Sequence, residues 1–346
     1  MTRISAQATE GSPGKQGAAD WAQGFARLPT RARIESIAAC QLKCPSCPTT
    51  SGAIRPAIAP GQLSPAMFER FLDQSPTIRK VELSNYGEAF LNKDLGSILE
   101  IAAGRGVAIS IGNGANLNHL DEGIADVLVR TGVVRLACSI DGATEETYSR
   151  YRIKGDLSRV LANIDAINEA KQRRRSARPE LVWQFVVFGH NEHEIAKARA
   201  MAEARGMEFR PKISWDDKVS PIRSAALVRR ETGLPETRAA FRSETGRNYM
   251  RGICHQLWTD PQFNWNGDNL GCCRNFWGDF GGNPLHDGFE AAFNGEKMRR
   301  ARQMLLGLAT PFTDVPCTTC DLFLDMQETG AYLSRGEMLG LTNSGA

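Results

Sequence analysis

The sequence predicts an α/β protein built on parallel strands, with a small cysteine-rich domain at its C-terminal end. Three observations predict it. From residue 30 to about 213, six strand signals alternate with helix signals. The fifth, Leu181 to Phe188, is nearly all apolar, as a strand covered on both faces must be. Beyond residue 250 the alternation gives way to Gly, Asn, Asp, Trp and Cys, too little apolar material for a core without staples.

The elements follow in order. Arg31 to Ala38 reads as the first strand. Ser64-Pro65 opens a helix, with Ser64 as N-cap and an apolar stripe of Met67, Phe68, Phe71 and Leu72. Lys80 to Asn85 is the second strand. Asp94 caps a helix whose Leu95, Ile98, Leu99 and Ala102 share a face and which Gly104 stops. Val107 to Asn113 is the third strand, Asp121 caps a helix ending at Gly132, and Val133 to Ile140 is the fourth strand. Asp156 opens a helix carrying Val160, Leu161, Ile164 and Ile167, and the fifth strand follows. Asn191 and Glu194 cap another helix, and Met207 to Ile213 is the sixth strand.

Such a series implies right-handed crossovers between parallel strands, as a barrel or an open doubly wound sheet. Periodicity does not choose between the two. In both, ligands sit at the carboxyl ends of the strands. Cys40, Glu88, Gly112-Asn113-Gly114 and Ser139 to Asp141 all fall there.

The domain plan that results is a disordered leader over 1–29, a core over 30–225, a linker over 226–250 with one helix, a cysteine-rich domain over 251–325 with a helix near Glu296 to Leu306, and a tail over 326–346. Forty-two basic and 39 acidic residues give a net charge of +3, too balanced for a nucleic-acid partner. No apolar run approaches the ~20 residues of a membrane helix, and the leader lacks the apolar stretch of a secretory signal, so a cytoplasmic protein is expected. The basic run from Lys171 to Arg178 reads as a solvated helix end.

Nine cysteines stand at 40, 44, 47, 138, 254, 272, 273, 317 and 320. An odd number, clustered, in a reducing compartment points to metal or redox ligands rather than disulfides. Cys40, Cys44 and Cys47 lie on one short loop after the first strand. Three thiolates there can converge on one face of a cubane iron–sulfur cluster and leave one iron without a protein ligand. Tetrahedral zinc wants four ligands, and no fourth is local.

At this point the chain resembles the radical S-adenosylmethionine (SAM) enzymes. The CxxxCxxC spacing, Tyr86-Gly87-Glu88-Ala89 in place of a Gly-Gly-Glu-Pro motif, Gly112-Asn113-Gly114 in place of Thr-Asn-Gly, and Ser139-Ile140-Asp141-Gly142 carry the likeness. It implies a partial (βα)6 TIM-like barrel in which Cys40, Cys44 and Cys47 hold a [4Fe–4S] cluster. SAM binds the open iron and is cleaved by one electron to a 5′-deoxyadenosyl radical. Gly87 and Glu88 would receive the methionine amino group. Asn113, Ser139 and Asp141 would lie near the ribose and carboxylate. Ser46 stands where many members place an aromatic against adenine, and Ala89 replaces a proline.

The second group, Cys254, Cys272, Cys273 and Cys317-Thr-Thr-Cys320, resembles the SPASM/twitch extension of these enzymes, in its one-cluster form. Cys254, Cys272, Cys317 and Cys320 would ligate one auxiliary [4Fe–4S] cluster; whether Cys272 or Cys273 takes part stays open, as does structural zinc. The spare thiol, expected to be Cys273, would donate a hydrogen atom to a substrate radical or simply pack. Cys138 is expected in the core, and Trp258, Trp265, Phe276 and Trp277 around the auxiliary cluster. His255 is expected to pack or cap. Asp216, Asp217 and Lys218 follow strand six at the open end.

The resemblance therefore implies an oxidoreductase or epimerase that abstracts hydrogen from a small polar substrate, such as a sugar or aminocyclitol, with a flavodoxin or ferredoxin as electron donor. Two alternatives remain: a maturase of a ribosomally made peptide, and a non-enzymatic binding protein stapled by zinc.

Overall fold

The computed structural model describes residues 22–54, 58 and 60–338. Six strands run parallel: β1 (Arg31–Ile34), β2 (Lys80–Glu82), β3 (Ala108–Ala115), β4 (Arg135–Ser139), β5 (Glu180–Val187) and β6 (Glu208–Ile213). They stand side by side in chain order. A doubly wound sheet reverses its order at a switch point; this one does not, so its connections accumulate as in a barrel. Among the described residues it does not close.

The β1 edge is occupied. β7 (Gln262–Phe263) pairs with it in parallel, and β8 (Asn269–Gly271) pairs antiparallel with β7. The cysteine-rich region thus continues the sheet. Phe263 of β7 meets Phe71 and Phe289 with ring centroids 5.9 and 5.8 Å apart, which locks the two regions into one core.

Local chemistry sets the helix ends. Helix α1 (Pro65–Asp73) starts where the Ser64 hydroxyl accepts the Met67 N–H, and α2 (Leu95–Gly104) buries Leu95, Ile98, Leu99 and Ala102 as its spacing requires. Asp94 stands at the N-cap of α2, but its carboxylate receives Gln62 instead. Helix α3 (Ile124–Arg130) begins after Gly123, and Asp121 binds His119 rather than capping it. Helix α4 (Glu145–Tyr151), which the periodicity did not separate, is capped by Thr144. Helix α5 (Leu157–Arg174) starts on Asp156 as expected. Before α6 (Ile195–Glu203), Asn191 turns back to accept the Phe188 N–H, and Glu194 accepts Ala143 N–H and the Thr144 hydroxyl. Two helices, α7 (Ala225–Thr232) and α8 (Arg238–Thr245), occupy the expected linker. Helix α9 (Phe289–Phe293) precedes α10 (Glu296–Leu305), and α11 (Asp321–Thr329) follows the last cysteine.

Residues 22–29, expected as the end of a disordered leader, are docked. The fully buried Arg302 of α10 donates to Gly24 O, Leu257 O, Phe293 O and Asn294 Oδ1, and Asn294 exchanges hydrogen bonds with Ala26. The buried guanidinium needs those carbonyls, and they hold the segment down. The remainder of the leader, 1–21, and the end of the tail, 339–346, lie outside the described residues. No helix among the described residues is long and apolar enough to cross a membrane.

Candidate functional site

Past Ile34 the chain leaves the sheet because Glu35 turns inward. Its buried carboxylate accepts Tyr86 N–H at 2.8 Å and Gly87 N–H at 3.3 Å. Burial pushes its pKa up to about 7, against the pull of those donors and of Arg33. The loops after β1 and β2 are so close at Gly87 that a Cβ there would overlap the Ile37 carbonyl oxygen. Glu88 N–H completes the seam by donating to Ala39 O at 2.8 Å.

Cys40, Cys44 and Cys47 sit on this seam, over a floor of Leu42, Tyr151 and Phe188. Two of the thiols meet N–H donors: Asn116 Nδ2 lies 3.6 Å from Cys40 Sγ, and Arg152 Nη1 3.7 Å from Cys44 Sγ. Burial pushes the Cys40 thiol up to about 12, and the charges of Glu88 and the other two thiols add to it. Cys44 is raised by burial too, with Arg152 opposing. Cys40 and Cys44, raised by burial and by the neighbouring thiols, fit a cationic group able to hold them as thiolates.

The motif residues divide. Glu88 is buried and engaged: its carboxylate accepts Asn116 N–H at 2.6 Å and Phe90 N–H at 3.4 Å, capping the turn Ala89–Leu91. Burial lifts it to about 7. Asn113 is exposed at the end of β3, its amide on Asn85. The Ser139 hydroxyl stands where a Cβ on Gly114 would fall, and Gly114, at φ 134°, leaves the room. Asp141 is wholly buried and taken by Arg152, whose Nη2 and Nε lie 2.6 and 2.7 Å from Oδ2, while Val186 N–H donates to Oδ1 at 2.8 Å. The cation at this site is therefore Arg152, which sequence reasoning missed. Its only sequence trace is a place ten residues beyond Gly142 at the end of an unrecognised helix.

Ser46, the departure from the aromatic pattern, hydrogen-bonds Tyr151 Oη at 2.7 Å and accepts Trp215 Nε1 at 3.2 Å. Aromatic rings thus reach this loop from α4 and from beyond β6. Asp216 braces its own loop by accepting Lys218 N–H at 3.0 Å.

The C-terminal thiols form a second group. Cys254, Cys272, Cys317 and Cys320 lie within one another's electrostatic reach, and burial is the first cause of their raised pKa values. The adjacent Cys273 lies within reach of Cys272 and also of Arg33, Tyr86 and Lys212. Gln256 holds its N–H at 2.8 Å, and Tyr86 Oη donates to its carbonyl at 2.7 Å. The two neighbouring cysteines act on one another and both on Tyr86, and Cys273 in addition on Arg33 and Lys212. Cys138 is fully buried in β4. Phe276 packs edge-on against both Tyr86 and Trp277, and Trp277 donates to Pro316 O beside the last cysteine pair. Among the described residues no three His, Cys, Asp or Glu side chains are placed to chelate a single metal ion.

Comparison with known proteins bears on this arrangement. Residues 34–202 match the model of the Radical SAM superfamily. A relative is the AdoMet-dependent heme synthase of Methanosarcina barkeri, 30% identical over 138 residues, which are 39% of this chain and 38% of that protein. The chain thus spans well under half the length of that curated relative. The fold is similar to that of SuiB from Streptococcus suis bound to S-adenosylmethionine, with a TM-score of 0.65 at 14% identity over 89% of this chain and 74% of that one. It is also similar to SuiB bound to its precursor peptide SuiA, with a TM-score of 0.60 at 12% identity over 93% and 79%. At these identities the likeness to SuiB is one of fold. The superfamily uses SAM and a [4Fe–4S] cluster, and the buried thiols of the first loop fit such a group. With the match running from the end of β1 into α6 and the first thiol loop inside it, the chain carries a domain of the Radical SAM superfamily over residues 34–202.

Proposed function

We propose that the protein abstracts a hydrogen atom from a small polar substrate and returns one through Cys273, an epimerisation. The observation that carries this is the place of Cys273: its backbone is held by Gln256 and by Tyr86 of the loop after β2, and beside Cys272 of the second thiol group it also acts on Arg33 and Lys212. Cys40, Cys44 and Cys47 hold the [4Fe–4S] cluster, which when bound supplies the electron that splits SAM to a 5′-deoxyadenosyl radical. Arg152 meets the SAM carboxylate, with Asp141 fixing its guanidinium. Gly87 and Glu88 take the methionine amino group, and Asn113 and Ser139 border the ribose. Cys254, Cys272, Cys317 and Cys320 hold an auxiliary [4Fe–4S] cluster. Cys273, having given up its hydrogen, needs one electron and one proton before the next turnover. A flavodoxin or ferredoxin is the expected outside donor.

The test is iron and sulfide content of anaerobically reconstituted protein together with SAM cleavage. About eight irons per chain and 5′-deoxyadenosine are expected. Cys44→Ala abolishes cleavage and leaves the fold intact by circular dichroism. Cys273→Ala keeps cleavage but stops deuterium uptake from solvent into product. Unchanged deuterium uptake in Cys273→Ala would assign the returned hydrogen to another donor, no uptake in the wild type would replace epimerisation by dehydrogenation, and 5′-deoxyadenosine from Cys44→Ala would overturn the cluster assignment. The fold likeness to SuiB favours a second reading, modification of a peptide. Turnover of a peptide and of no small polar compound would establish it.

A further inference from the structure

Lys212 is a half-buried charged group of this region that the chemistry above leaves unused. It is the penultimate residue of β6, and its ammonium reaches the Gln184 side-chain oxygen. Gln184 is itself buried and fixed, donating to Gly112 O at 3.2 Å. The ammonium therefore has a rigid but neutral acceptor.

The nearby carboxylates are engaged elsewhere. Asp141 is held by Arg152, Glu35 by Tyr86 and Gly87, and Glu88 by Asn116 and Phe90. Glu82 accepts Gly112 N–H and the Ser84 hydroxyl, and Asp260 faces Arg33 at 3.7 Å. The charged groups that act on Lys212 come from three sides: Arg210 on its own strand, Asp141 and Arg152 beside the first thiol loop, and Cys273 from the C-terminal region. Lys212 thus lies near the carboxyl end of β6, held to β5 through Gln184 and within electrostatic reach of both thiol-bearing regions. Arg152 and Arg210 are each paired with a carboxylate, Asp141 and Glu208, whereas the Lys212 ammonium is bonded to a neutral amide and has no carboxylate of its own. Burial, and then Arg210, pulls it down to about 8.

We propose that Lys212 anchors the substrate, and that the substrate carries an anionic group, a carboxylate or a phosphate, against its ammonium. This rests on the reading above and narrows it. A neutral sugar supplies no counter-charge, and an aminocyclitol adds a further positive charge beside Lys212, Arg152 and Arg210.

The test uses the reconstituted full chain and four matched probes: glucose, glucosamine, glucuronate and glucose 6-phosphate. Acetylation of Lys212 by acetic anhydride is followed by peptide mass spectrometry, with exposed Lys93 as internal control. Glucuronate or glucose 6-phosphate is expected to slow Lys212 acetylation several-fold and leave Lys93 unchanged, and the one that protects separates carboxylate from phosphate. Lys212→Arg retains saturable binding of that probe by calorimetry, and Lys212→Met loses it. Equal protection by glucose or glucosamine, or no protection by either anion, overturns the proposal. Protection without SAM cleavage would sink the radical reading and leave the anchor standing. SAM cleavage stimulated by glucose alike in wild type and Lys212→Met would do the reverse.

Discussion

Asp141→Asn is the sharpest perturbation of the site, because it removes one charge and almost no volume. The carboxylate is wholly buried and takes two N–H groups of Arg152 and one of Val186. At ~4 Å and an effective dielectric of ~20, the pair attracts by about 4 kcal/mol. Neutralising one partner of a buried pair costs about 3–5 kcal/mol, since the other charge is left uncompensated. Here that charge is the Arg152 guanidinium, whose remaining partner is Cys44 Sγ. Urea denaturation of wild type, Asp141→Asn, Arg152→Gln and the double variant measures it. Each single variant should lose about 3 kcal/mol or more, and the double variant should lose less than the sum, with a coupling of about 2 kcal/mol. A single-variant loss below about 1 kcal/mol, or simple additivity, refutes a buried pair that fixes Arg152.

Three further outcomes are expected. Gly87→Ala forces a methyl into the Ile37 carbonyl; it should cost about 1–3 kcal/mol and abolish SAM binding in equilibrium dialysis, and unchanged binding would show the seam to be dispensable. Arg302→Met takes the guanidinium from three buried backbone carbonyls and leaves Asn294 Oδ1 with Ala26 N–H alone; it should cost about 3–5 kcal/mol and open residues 22–29 to limited proteolysis, read by mass spectrometry. Glu88, raised to about 7, keeps in the folded state a proton that the unfolded chain releases near 4.5. Stability therefore falls as pH rises across that window, by an amount of order ~3 kcal/mol for this group, and Glu88→Gln should remove that part of the slope. Glu35 titrates over the same range and keeps the rest, so parallel denaturation curves for wild type and Glu88→Gln at pH 5 and pH 8 would count against the burial argument.

The strand–helix series was legible because its signals are local. Apolar spacing and caps such as Ser64 and Asp156 need only a few neighbouring residues, and the thiol loop is a spacing of eight. What escaped the sequence is long-range. β1 ends at Ile34, not Ala38, because Glu35 is drawn to backbone fifty residues away. β2 ends at Glu82 because that carboxylate folds back on Ser84 and across to Gly112. Arg152 had no motif, since its partners stand 11 and 108 residues back in the chain. Barrel versus open doubly wound sheet is a matter of strand order, which periodicity does not encode. What marks Cys273 beyond its neighbour is its reach to Arg33 and Lys212, each more than fifty residues from the pair.

The pairing of β7 with β1 has a consequence for how the chain can be taken apart. A parallel strand at a sheet edge presents a row of unpaired backbone groups, and β1 meets that need only with residues from far down the sequence. A fragment ending near residue 250 would expose this edge together with the Phe71 ring that Phe263 and Phe289 cover. It should associate with itself rather than stand as a separate barrel. A chain nicked between α7 and α8 should instead stay together, its two pieces eluting as one species until denaturant separates them.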